Sequence, residues 1–423
     1  MARKSSSSEK QGTVTELFAG VGGFRIGLER AGWLVTFSNQ WEPSTKVQHA
    51  SSCYVANFGD EGHSNEDVTE VVKRLEEGDP SAIPKTDLIV GGFPCQDYSV
   101  AKSLNSSMGL EGKKGVLWWQ IYKLVKINQP KFVFLENVDR LLKSPANQRG
   151  RDFAIMLRTL GDLGYTVEWR VVNAAQEGFP QRRIRVFIVA VKIGIYSKSE
   201  ISDVEKFLCT DSVLGKSFPA SAKSKLQKVE LDTDPAEITL NFGLDLKKSP
   251  FRNSGAFING VVHTLDVESF GAQNKRTLGD VLIPKQDVPK EFWIADTRLE
   301  EWKALKNGKS IERFHEESGT RYFYAEGSMA YPDLLTNPSR TILTGEGGST
   351  PSRFKHIIKI GQKHRRLVPI ELERLNGFPD DWTKFDAEGN TLSDSRRAFF
   401  MGNALVVGLI ERVGTVLAEF NRR

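Results

Sequence analysis

The chain has 423 residues, of which 39% are hydrophobic and 26% charged, and its formal net charge is +5. This length is too great for one ordinary core and predicts two domains. No apolar run approaches the roughly 18 residues that a membrane helix needs. The polar, serine-rich start lacks the apolar centre of a signal peptide, so residues 1–11 are predicted to be a disordered tail. An odd count of three cysteines without a CxxC pair argues against a disulfide framework and a metal site. We therefore expect an intracellular protein, and its mild basic excess is compatible with a polyanionic partner.

The first half of the chain alternates apolar strand-like runs with helical patterns. The predicted strands are Val14–Ala19, Leu34–Asn39, Asp87–Gly91, Phe132–Glu136, Thr166–Val172 and Arg185–Val191. The predicted helices are Phe24–Ala31, Ser44–Asn57, Val68–Glu76, Gly115–Ile127 and Phe153–Leu163. Continuously apolar strands indicate a sheet covered on both faces, and the alternation predicts an α/β fold with a doubly wound, parallel-rich sheet. Ligands of such sheets bind at the carboxyl ends of the strands, so motifs at those ends share one rim.

The alternation stops after about Lys192. Residues 195–340 are rich in Lys, Asp and Ser and contain only short strand-like pieces, which predicts a second, smaller irregular domain. Helical patterns return at Pro369–Asn376 and, after a glycine turn, at Ala404–Phe420.

Glycines follow the first predicted strand in ELFAGVGGF, Glu16–Phe24. Gly20, Gly22 and Gly23 allow a ligand to approach the backbone closely at the positive end of a helix. Arg25 stands where a GxGxxG pattern requires glycine, so a nucleoside without pyrophosphate fits better than NAD. The alternative is a merely structural turn between strand and helix.

The second predicted strand ends in NQWEP, Asn39–Pro43. Trp41 is suited to stacking on an adenine ring, and Gln40 or Glu42 to binding ribose hydroxyls. The alternative is a capped helix start with a surface tryptophan. The pair Asp67-Val68 is suited to holding an adenine edge, although alone it is more typical of a helix N-cap.

A cysteine in GGFPCQDYS, Gly91–Ser99, lies just past a buried strand. A thiol on the ligand rim is a candidate nucleophile, so Cys95 needs partners there. Glu136 in FLENV ends another apolar strand, and Arg183 and Arg185 in FPQRRIRVFIV are two residues apart, which predicts that both face the same side. Each alone has a structural explanation as an ion-pair or surface residue, but their convergence on one rim favours an active site.

These motifs, together with RRLVPIELERLNGFPDDW (Arg365–Trp382) and FFMGNALVVG (Phe399–Gly408), resemble the DNA (cytosine-5)-methyltransferase family of bacterial restriction-modification type. Their order is the family's order, and they cover residues 12–192 and about 340–423. The resemblance implies a Rossmann-like methyltransferase sheet that binds S-adenosylmethionine and releases S-adenosylhomocysteine. It also implies a catalytic and cofactor-binding domain at 12–194, completed by 392–423, and a target recognition domain with hinge at 195–391.

The resemblance further implies the roles of single residues. Cys95 would add to carbon 6 of a cytosine flipped out of duplex DNA, next to Glu136, and the arginines would favour its thiolate. DNA contacts would come from Gln96, Ser99, Arg183 and Arg185. The implied cofactor contacts are Phe18, Gly20, Val21, Gly23, Gln40, Trp41, Glu42, Asp67, Val68, Phe93, Pro94, Leu117, Asn403 and Ala404.

Three positions depart from the family pattern. Gln40 stands where the family usually has a ribose-binding Glu, which leaves the ribose contact open between Gln40 and Glu42. Ala404 replaces a common Ser, and Ala101 stands where some members have Ser. The implied partner is double-stranded DNA, bound by a monomer in the bacterial cytoplasm at the nucleoid, with a cognate restriction endonuclease acting separately.

Three rival functions differ in testable features. A tRNA cytosine-5 methyltransferase shares the Cys and Glu motifs, but the long segment at 195–340 favours DNA. A non-catalytic DNA-binding relative would usually lack the nucleophile or the acid, and both are present. An amino-methyltransferase would need a (D/N/S)PP(Y/F/W) motif, which the sequence lacks. Candidates for base reading within 195–340 are Arg252, Asn253, Gln273, Asn274, Lys275, Arg276 and Arg321.

Overall fold

The computed structural model describes residues 12–93, 117–314 and 321–423. The predicted tail at 1–11 lies outside the described residues, and so do Pro94, Cys95, Gln96, Ser99 and Ala101.

The helices and strands of the described residues follow the predicted order through the first half. The helices are α1 Gly23–Arg30, α2 His49–Phe58, α3 Val68–Glu76, α4 Leu117–Asn128, α5 Arg151–Asp162, α6 Val204–Lys206, α7 Val213–Ser217, α8 Pro235–Asn241, α9 Leu299–Lys306, α10 Pro369–Asn376, α11 Asp394–Asn403 and α12 Val407–Asn421. The strands are β1 Thr13–Leu17, β2 Leu34–Asn39, β3 His63–Ser64, β4 Leu88–Gly91, β5 Phe132–Asn137, β6 Tyr165–Asn173, β7 Ile184–Lys192, β8 Ala220–Ala222, β9 Gln227–Glu230, β10 Ser254–Ile258, β11 Val261–Leu265, β12 Val267–Ser269, β13 Trp293–Ile294, β14 Lys309–Phe314, β15 Arg321–Glu326, β16 Ile357–Ile360 and β17 Lys363–Arg366.

Ten strands form one mixed sheet in the order β3-β2-β1-β4-β5-β7-β6-β10-β11-β9. The neighbours from β3 to β5 pair in parallel. The pairs from β5 onward are antiparallel. The carboxyl ends of β1, β2, β4 and β5 and the amino end of β7 therefore lie on one rim, as predicted.

Alternate residues of the central strands face two different cores. Ile89 and Val133 pack in a cluster with α3, α4 and α5. Leu88, Val90 and Phe134 pack in a second cluster with α1 and α12 on the opposite face. Helices on both faces of the sheet confirm the predicted doubly wound α/β fold.

The large sheet continues past the predicted boundary at residue 194. β10 pairs with β6, and β11 and β9 follow it, so residues from Gln227 to Leu265 extend the sheet of the first domain. All five residues of β10 are buried, and their pairing covers the edge of β6. Three strands of this sheet therefore follow the predicted boundary at residue 194.

The remaining segments surround a third core that joins both ends of the chain. Three residues of the first half pack there against Phe378 and Met401. They are Val21 in the turn before α1, Ile26 in α1 and Cys53 in α2. A three-stranded sheet of β13, β17 and β16 and a two-stranded ribbon of β14 and β15 lie in the same half of the sequence. The sequence predicted a glycine turn followed by a helix at Ala404–Phe420. In the structure the glycine of this motif lies in the last turn of α11, residues 404–406 are not helical, and α12 begins at Val407.

One helical span of the described residues, Asp394–Asn421, is apolar and long enough to cross a membrane by composition alone. It corresponds to α11 and α12, and most of it is buried inside the fold. Such a span is weak evidence for a membrane segment because core helices pass the same test.

Candidate active site

The glycine turn between β1 and α1 has the backbone of a ligand-binding loop. Phe18, Gly20 and Gly22 have positive φ values of 55°, 57° and 89°. A Cβ at Gly22 would lie 2.3 Å from the ring of Phe58, so this position requires glycine. A Cβ at Gly20 would meet nothing within 4 Å, which leaves open space beside the turn for a ligand.

The tip of β2 separates the two candidates for the ribose contact. The Gln40 Oε1 accepts a hydrogen bond of 2.7 Å from the amide of Gly20, so the side chain lies against the glycine turn. The Glu42 Oε2 accepts a bond of 2.9 Å from the amide of Ala50 and caps the first turn of α2. Trp41, between them, is 38% exposed and leaves ring surface for stacking.

Other predicted cofactor residues that the structure describes lie in the core cluster or at the start of α3. Phe18, Phe93 and Leu117 all contact the core cluster beneath the rim. Val68 is buried at the start of α3. The Asp67 Oδ1 accepts a bond of 2.9 Å from the amide of Thr69 and caps this helix.

The far end of the chain returns to this turn. Leu405 lies 3.0 Å from the position of a Cβ on Gly23, so residues 403–405 approach the start of α1. Asn403 is exposed at the end of α11, and the amide of Ala404 donates to the carbonyl of Phe400. Asn403 and Ala404 are thus brought beside the glycine turn, as the sequence predicted.

Glycines also determine the path of the chain out of β4. A Cβ at Gly91 would lie 2.9 Å from the carbonyl oxygen of Leu17, and one at Gly92 would lie 3.3 Å from Glu136 Oε2. The Asn137 Nδ2 donates a bond of 3.0 Å to the carbonyl of Phe93. The segment that leads to Cys95 is therefore held directly against the carboxyl group of Glu136.

Glu136 and Arg185 form an ion pair on the rim. The Arg185 Nε lies 2.8 Å from Glu136 Oε1, and the two side chains are 18% and 12% exposed. The pair is close enough for strong attraction, although its angle does not make a hydrogen bond to that oxygen. The structure thus brings together two residues that the sequence predicted to share a site.

Arg183 is more deeply buried than Arg185, which is partly accessible. Its side chain is buried, and its guanidinium donates to the carbonyls of Ile342 (3.4 Å) and Gly402 (3.1 Å). Burial and the nearby Arg185 lower the pKa of Arg183 to about 9, which leaves it charged at neutral pH. Arg183 lies one residue before β7, which begins at Ile184, and the charges of Arg185 and Glu136 both act on it. That both arginines serve one site stays a prediction.

Two buried amides that the sequence analysis missed fix this arrangement. The Gln181 Nε2 donates to Asn376 Oδ1 at 2.8 Å, and Gln181 Oε1 accepts from the amide of Ile342 at 3.0 Å. The Asn376 Nδ2 donates to the carbonyl of Met401 at 2.9 Å. Both amides lie in quoted motifs, but their role depends on contacts more than 150 residues apart in sequence.

The candidates for base reading differ in their contacts. The side-chain amide of Asn253 bonds to both backbone groups of Val267 and is structural. Two of the arginines form ion pairs. The Nη1 of Arg252 lies 3.8 Å from Asp266 Oδ2, and the Nη1 of Arg321 lies 3.5 Å from Glu312 Oε1. An exposed loop that follows β12 carries Gln273, Asn274, Lys275 and Arg276.

A doubly wound sheet with an open glycine turn and a carboxyl–guanidinium pair on one rim defines the class of nucleoside-binding α/β enzymes. Residues 12–419 match the family model of the C-5 cytosine-specific DNA methylases. The chain belongs to this family and is a DNA cytosine-5 methyltransferase, whose family uses S-adenosylmethionine.

Individual relatives agree with this assignment. The chain is 44% identical over 417 residues to the type II methyltransferase M.Sau3AI of Staphylococcus aureus, and the match covers 96% of each chain. It is 39% identical over 174 residues to the type II methyltransferase M.NgoBI of Neisseria gonorrhoeae, covering 41% of this chain and 49% of that one. The fold resembles the crystal structure of the Dnmt2 methyltransferase of S. pombe, with a TM-score of 0.56 at 14% identity over 96% of this chain and 98% of that one.

Proposed function

We propose that this enzyme flips a target cytosine out of duplex DNA, adds Cys95 to carbon 6 of the base and methylates carbon 5. The observation that supports the proposal most directly is the Glu136–Arg185 pair beside Gly92, three residues before Cys95. This chemistry needs a carboxyl group close to a nucleophile, and Cys95 follows Gly92 closely in the sequence.

The thiolate overcomes the low nucleophilicity of carbon 5. Its sulfur forms a bond to carbon 6, and the electrons of the C5–C6 double bond become available at carbon 5. S-adenosylmethionine, when bound, supplies the electrophilic methyl group that carbon 5 takes. Loss of the proton from carbon 5 then restores the double bond and expels the thiolate, so the enzyme is regenerated.

Glu136 would bind the flipped base and stabilise its charge. When it carries a proton, this carboxyl group would donate to N3 of cytosine, and its other oxygen would accept from the exocyclic amine. Arg185, whose Nε lies 2.8 Å from Glu136 Oε1, would orient this carboxyl group toward the base. Because Arg183 donates to the carbonyls of Ile342 and Gly402, we assign it to positioning these segments rather than to touching DNA.

The base must leave the duplex because carbon 6 cannot be reached inside the stack. Gln96 and Ser99, which follow Cys95, would contact the DNA next to the extruded nucleotide. The exposed loop 273–276 carries two cations, and the backbone amide of Arg276 donates to the carbonyl of Gly178 in the turn after β6. Cations on such a surface would contact phosphates.

The described residues around the glycine turn fit S-adenosylmethionine. The space beside Gly20 would admit the methionyl group, and Trp41 would stack on adenine. Gln40 is the better candidate for the ribose because Glu42 caps α2. The remaining proposed contacts are Phe18, Val21, Gly23, Asp67, Val68, Phe93, Pro94, Leu117, Asn403 and Ala404.

The relatives named as type II methyltransferases support a role in restriction-modification. We infer that the enzyme acts as a cytoplasmic monomer that protects its target sequence from a separate endonuclease. Residues 195–391 would contain the target recognition domain, although the strands at 227–265 belong to the large sheet.

Bisulfite sequencing of DNA from a methylation-deficient bacterium that expresses this chain tests the proposed reaction. Protected cytosines at one short recurring sequence are the expected result. Complete bisulfite conversion of the cytosines in this DNA, combined with methyl transfer to tRNA by the purified enzyme, would contradict the proposed reaction.

A further inference from the structure

A buried acid lies directly beneath the glycine turn and has no part in the proposed chemistry. Glu16 is the fourth residue of β1 and is 0% exposed. The register of the sheet places it between Ser38 on β2 and Val90 on β4. The first turn of α1 begins seven residues later, at Gly23.

The contacts of Glu16 connect it to the start of this helix. Its Oε1 accepts a bond of 3.3 Å from the backbone amide of Arg25, the third residue of α1. Its Oε2 accepts a bond of 3.0 Å from the hydroxyl of Tyr54 on α2. The carboxyl group thus joins the first turn of α1 to the neighbouring helix.

No cation neutralises this carboxyl group by direct contact among the described residues. The guanidinium of Arg25 turns instead to Glu29 (2.7 Å) and to the Tyr54 hydroxyl (3.3 Å), and it stacks on the ring of Phe58. Burial raises the pKa of Glu16 to about 8, despite the hydrogen bond from Tyr54 and the charge of Arg25. The carboxyl group is therefore mostly protonated at neutral pH.

Two further titratable groups of this cluster, His63 and Tyr54, are neutral at the same pH. His63 on β3 stacks on Tyr54, with its ring nitrogens 2.8 Å from the hydroxyls of Ser38 and Ser51. Burial and the nearby Arg25 lower the pKa of His63 to about 4. Burial raises the pKa of Tyr54 well above its usual range. Around pH 8, Glu16 is thus the group of this cluster that changes its charge.

We propose that Glu16 is a positioning residue for the glycine turn: its neutral carboxyl group orients the first turn of α1, and its ionisation weakens binding of a ligand carboxylate there. The proposal rests on the proposed binding of S-adenosylmethionine at this turn. The amide groups and dipole of a helix N-terminus attract anions. An ionised Glu16 below the same turn would neutralise this attraction and would also repel the carboxylate of the ligand.

The pH dependence of binding follows from this competition. If the neutral form alone binds, the dissociation constant scales with one plus the ratio of ionised to neutral Glu16. A carboxyl group that titrates near pH 8 then weakens binding about fourfold between pH 6.5 and 8.5. A ligand without a carboxylate lacks the repulsion and should bind equally at both pH values.

Calorimetric titration of the full chain with S-adenosylhomocysteine at pH 6.5 and 8.5 tests the proposal. For wild type we expect the fourfold loss with S-adenosylhomocysteine and none with 5′-methylthioadenosine, which lacks both the carboxylate and the amino group of the amino-acid part. E16Q should bind S-adenosylhomocysteine with the same affinity at both pH values, because the amide does not ionise and its oxygen keeps an acceptor for the backbone amide of Arg25. E16L, which keeps no acceptor, should bind several-fold more weakly at both.

Glu168 provides a matched control in another part of the sheet. It is buried on β6, accepts bonds from the Tyr196 hydroxyl (2.6 Å) and the amide of Val213 (3.0 Å), and burial raises its pKa. β6 lies four strands from β1, roughly 19 Å away. E168Q should therefore keep the wild-type pH dependence of binding.

Two results would overturn the proposal. One is an E16Q protein that loses affinity between pH 6.5 and 8.5 as wild type does. The other uses wild type alone: titrations at pH 8.5 in buffers of different ionisation enthalpy should reveal proton uptake on binding, and its absence would show that Glu16 does not titrate with the ligand. A wild type that binds neither ligand at any pH would instead overturn the proposed function along with this inference.

Discussion

The pairing of Glu136 with Arg185 concentrates the site's chemistry in two side chains. The ion pair holds one carboxyl oxygen, and Gly92 lies next to the other. An amide in place of this carboxyl group cannot transfer a proton to N3 of cytosine, and it leaves Arg185 without its counter-charge.

We predict that E136Q lowers the rate of methyl transfer by roughly 100-fold and leaves binding of S-adenosylhomocysteine within about twofold. Single-turnover methylation of duplex DNA measures the first effect and calorimetry the second. E66Q, which removes the carboxylate of an exposed ion pair with Arg74 at 2.8 Å, is the matched control and should methylate normally. A near-normal rate for E136Q would remove Glu136 from the mechanism.

Some residues of the site could be predicted from the sequence and others could not. Glu136 and the glycines were recognisable because each follows an apolar strand whose end lies on the ligand rim. The burial of Arg183 was not, since its guanidinium donates to the carbonyls of Ile342 and Gly402, which are distant in the sequence. Gln181 and Asn376 were missed because their hydrogen bonds cross 195 positions of sequence, and such contacts leave no local pattern.

At the scale of elements, α1 and α12 pack so closely that their backbones nearly touch. A Cβ at Gly27 on α1 would lie 2.9 Å from the carbonyl of Val407 and 2.9 Å from the amide of Glu411. Gly414 on α12 faces Leu28 and Ala31 in the same interface. This approach brings the end of the chain, with Asn403 and Ala404, to the glycine turn.

We predict that G27A destabilises the protein by about 1–3 kcal/mol, because the backbone of α12 must move to admit the methyl group. Urea unfolding measures this loss, and the dissociation constant of S-adenosylhomocysteine should rise with it. G327A is the control, since a Cβ there meets nothing within 4 Å. Equal unfolding midpoints for G27A and wild type would argue against the tight helix contact.

The elements of the first half were predictable, whereas the later pairing was not. Strand β2 and helices α3 and α10 have the predicted bounds, because apolar periodicity is a local property. Helix α2 begins at His49 rather than Ser44, since the Glu42 side chain caps it there. The pairing of β10 with β6 joins residues more than 80 apart, and no local pattern specifies such a partner.

For the whole molecule, the ten-stranded sheet limits which segments can be exchanged with those of a relative without loss of stability. Residues 227–265 form three of its ten strands, so replacing them exposes the edge of β6. Sequence reading must come from segments outside the shared chemistry, and β12 marks the point where the chain leaves the large sheet.

We predict that exchanging residues 267–340 for the corresponding region of a relative with another target transfers the donor's specificity. Exchanging 195–340 should transfer it too, but with lower thermal stability because three strands of the sheet are replaced. Bisulfite sequencing reads the target, and thermal unfolding verifies the fold. A folded, active chimera that keeps the original target would place sequence reading elsewhere.

Covalent trapping tests the central claim, attack by Cys95 on carbon 6, most directly. A duplex with 5-fluorocytosine at the methylated position blocks the final proton loss, so the sulfur–carbon bond should persist. With S-adenosylmethionine, wild type should give a protein–DNA complex that survives a denaturing gel. C95S should bind the same duplex and give none, because its hydroxyl is far less acidic than the thiol. Methyl transfer to the fluorinated duplex by wild type without any such complex would contradict the account.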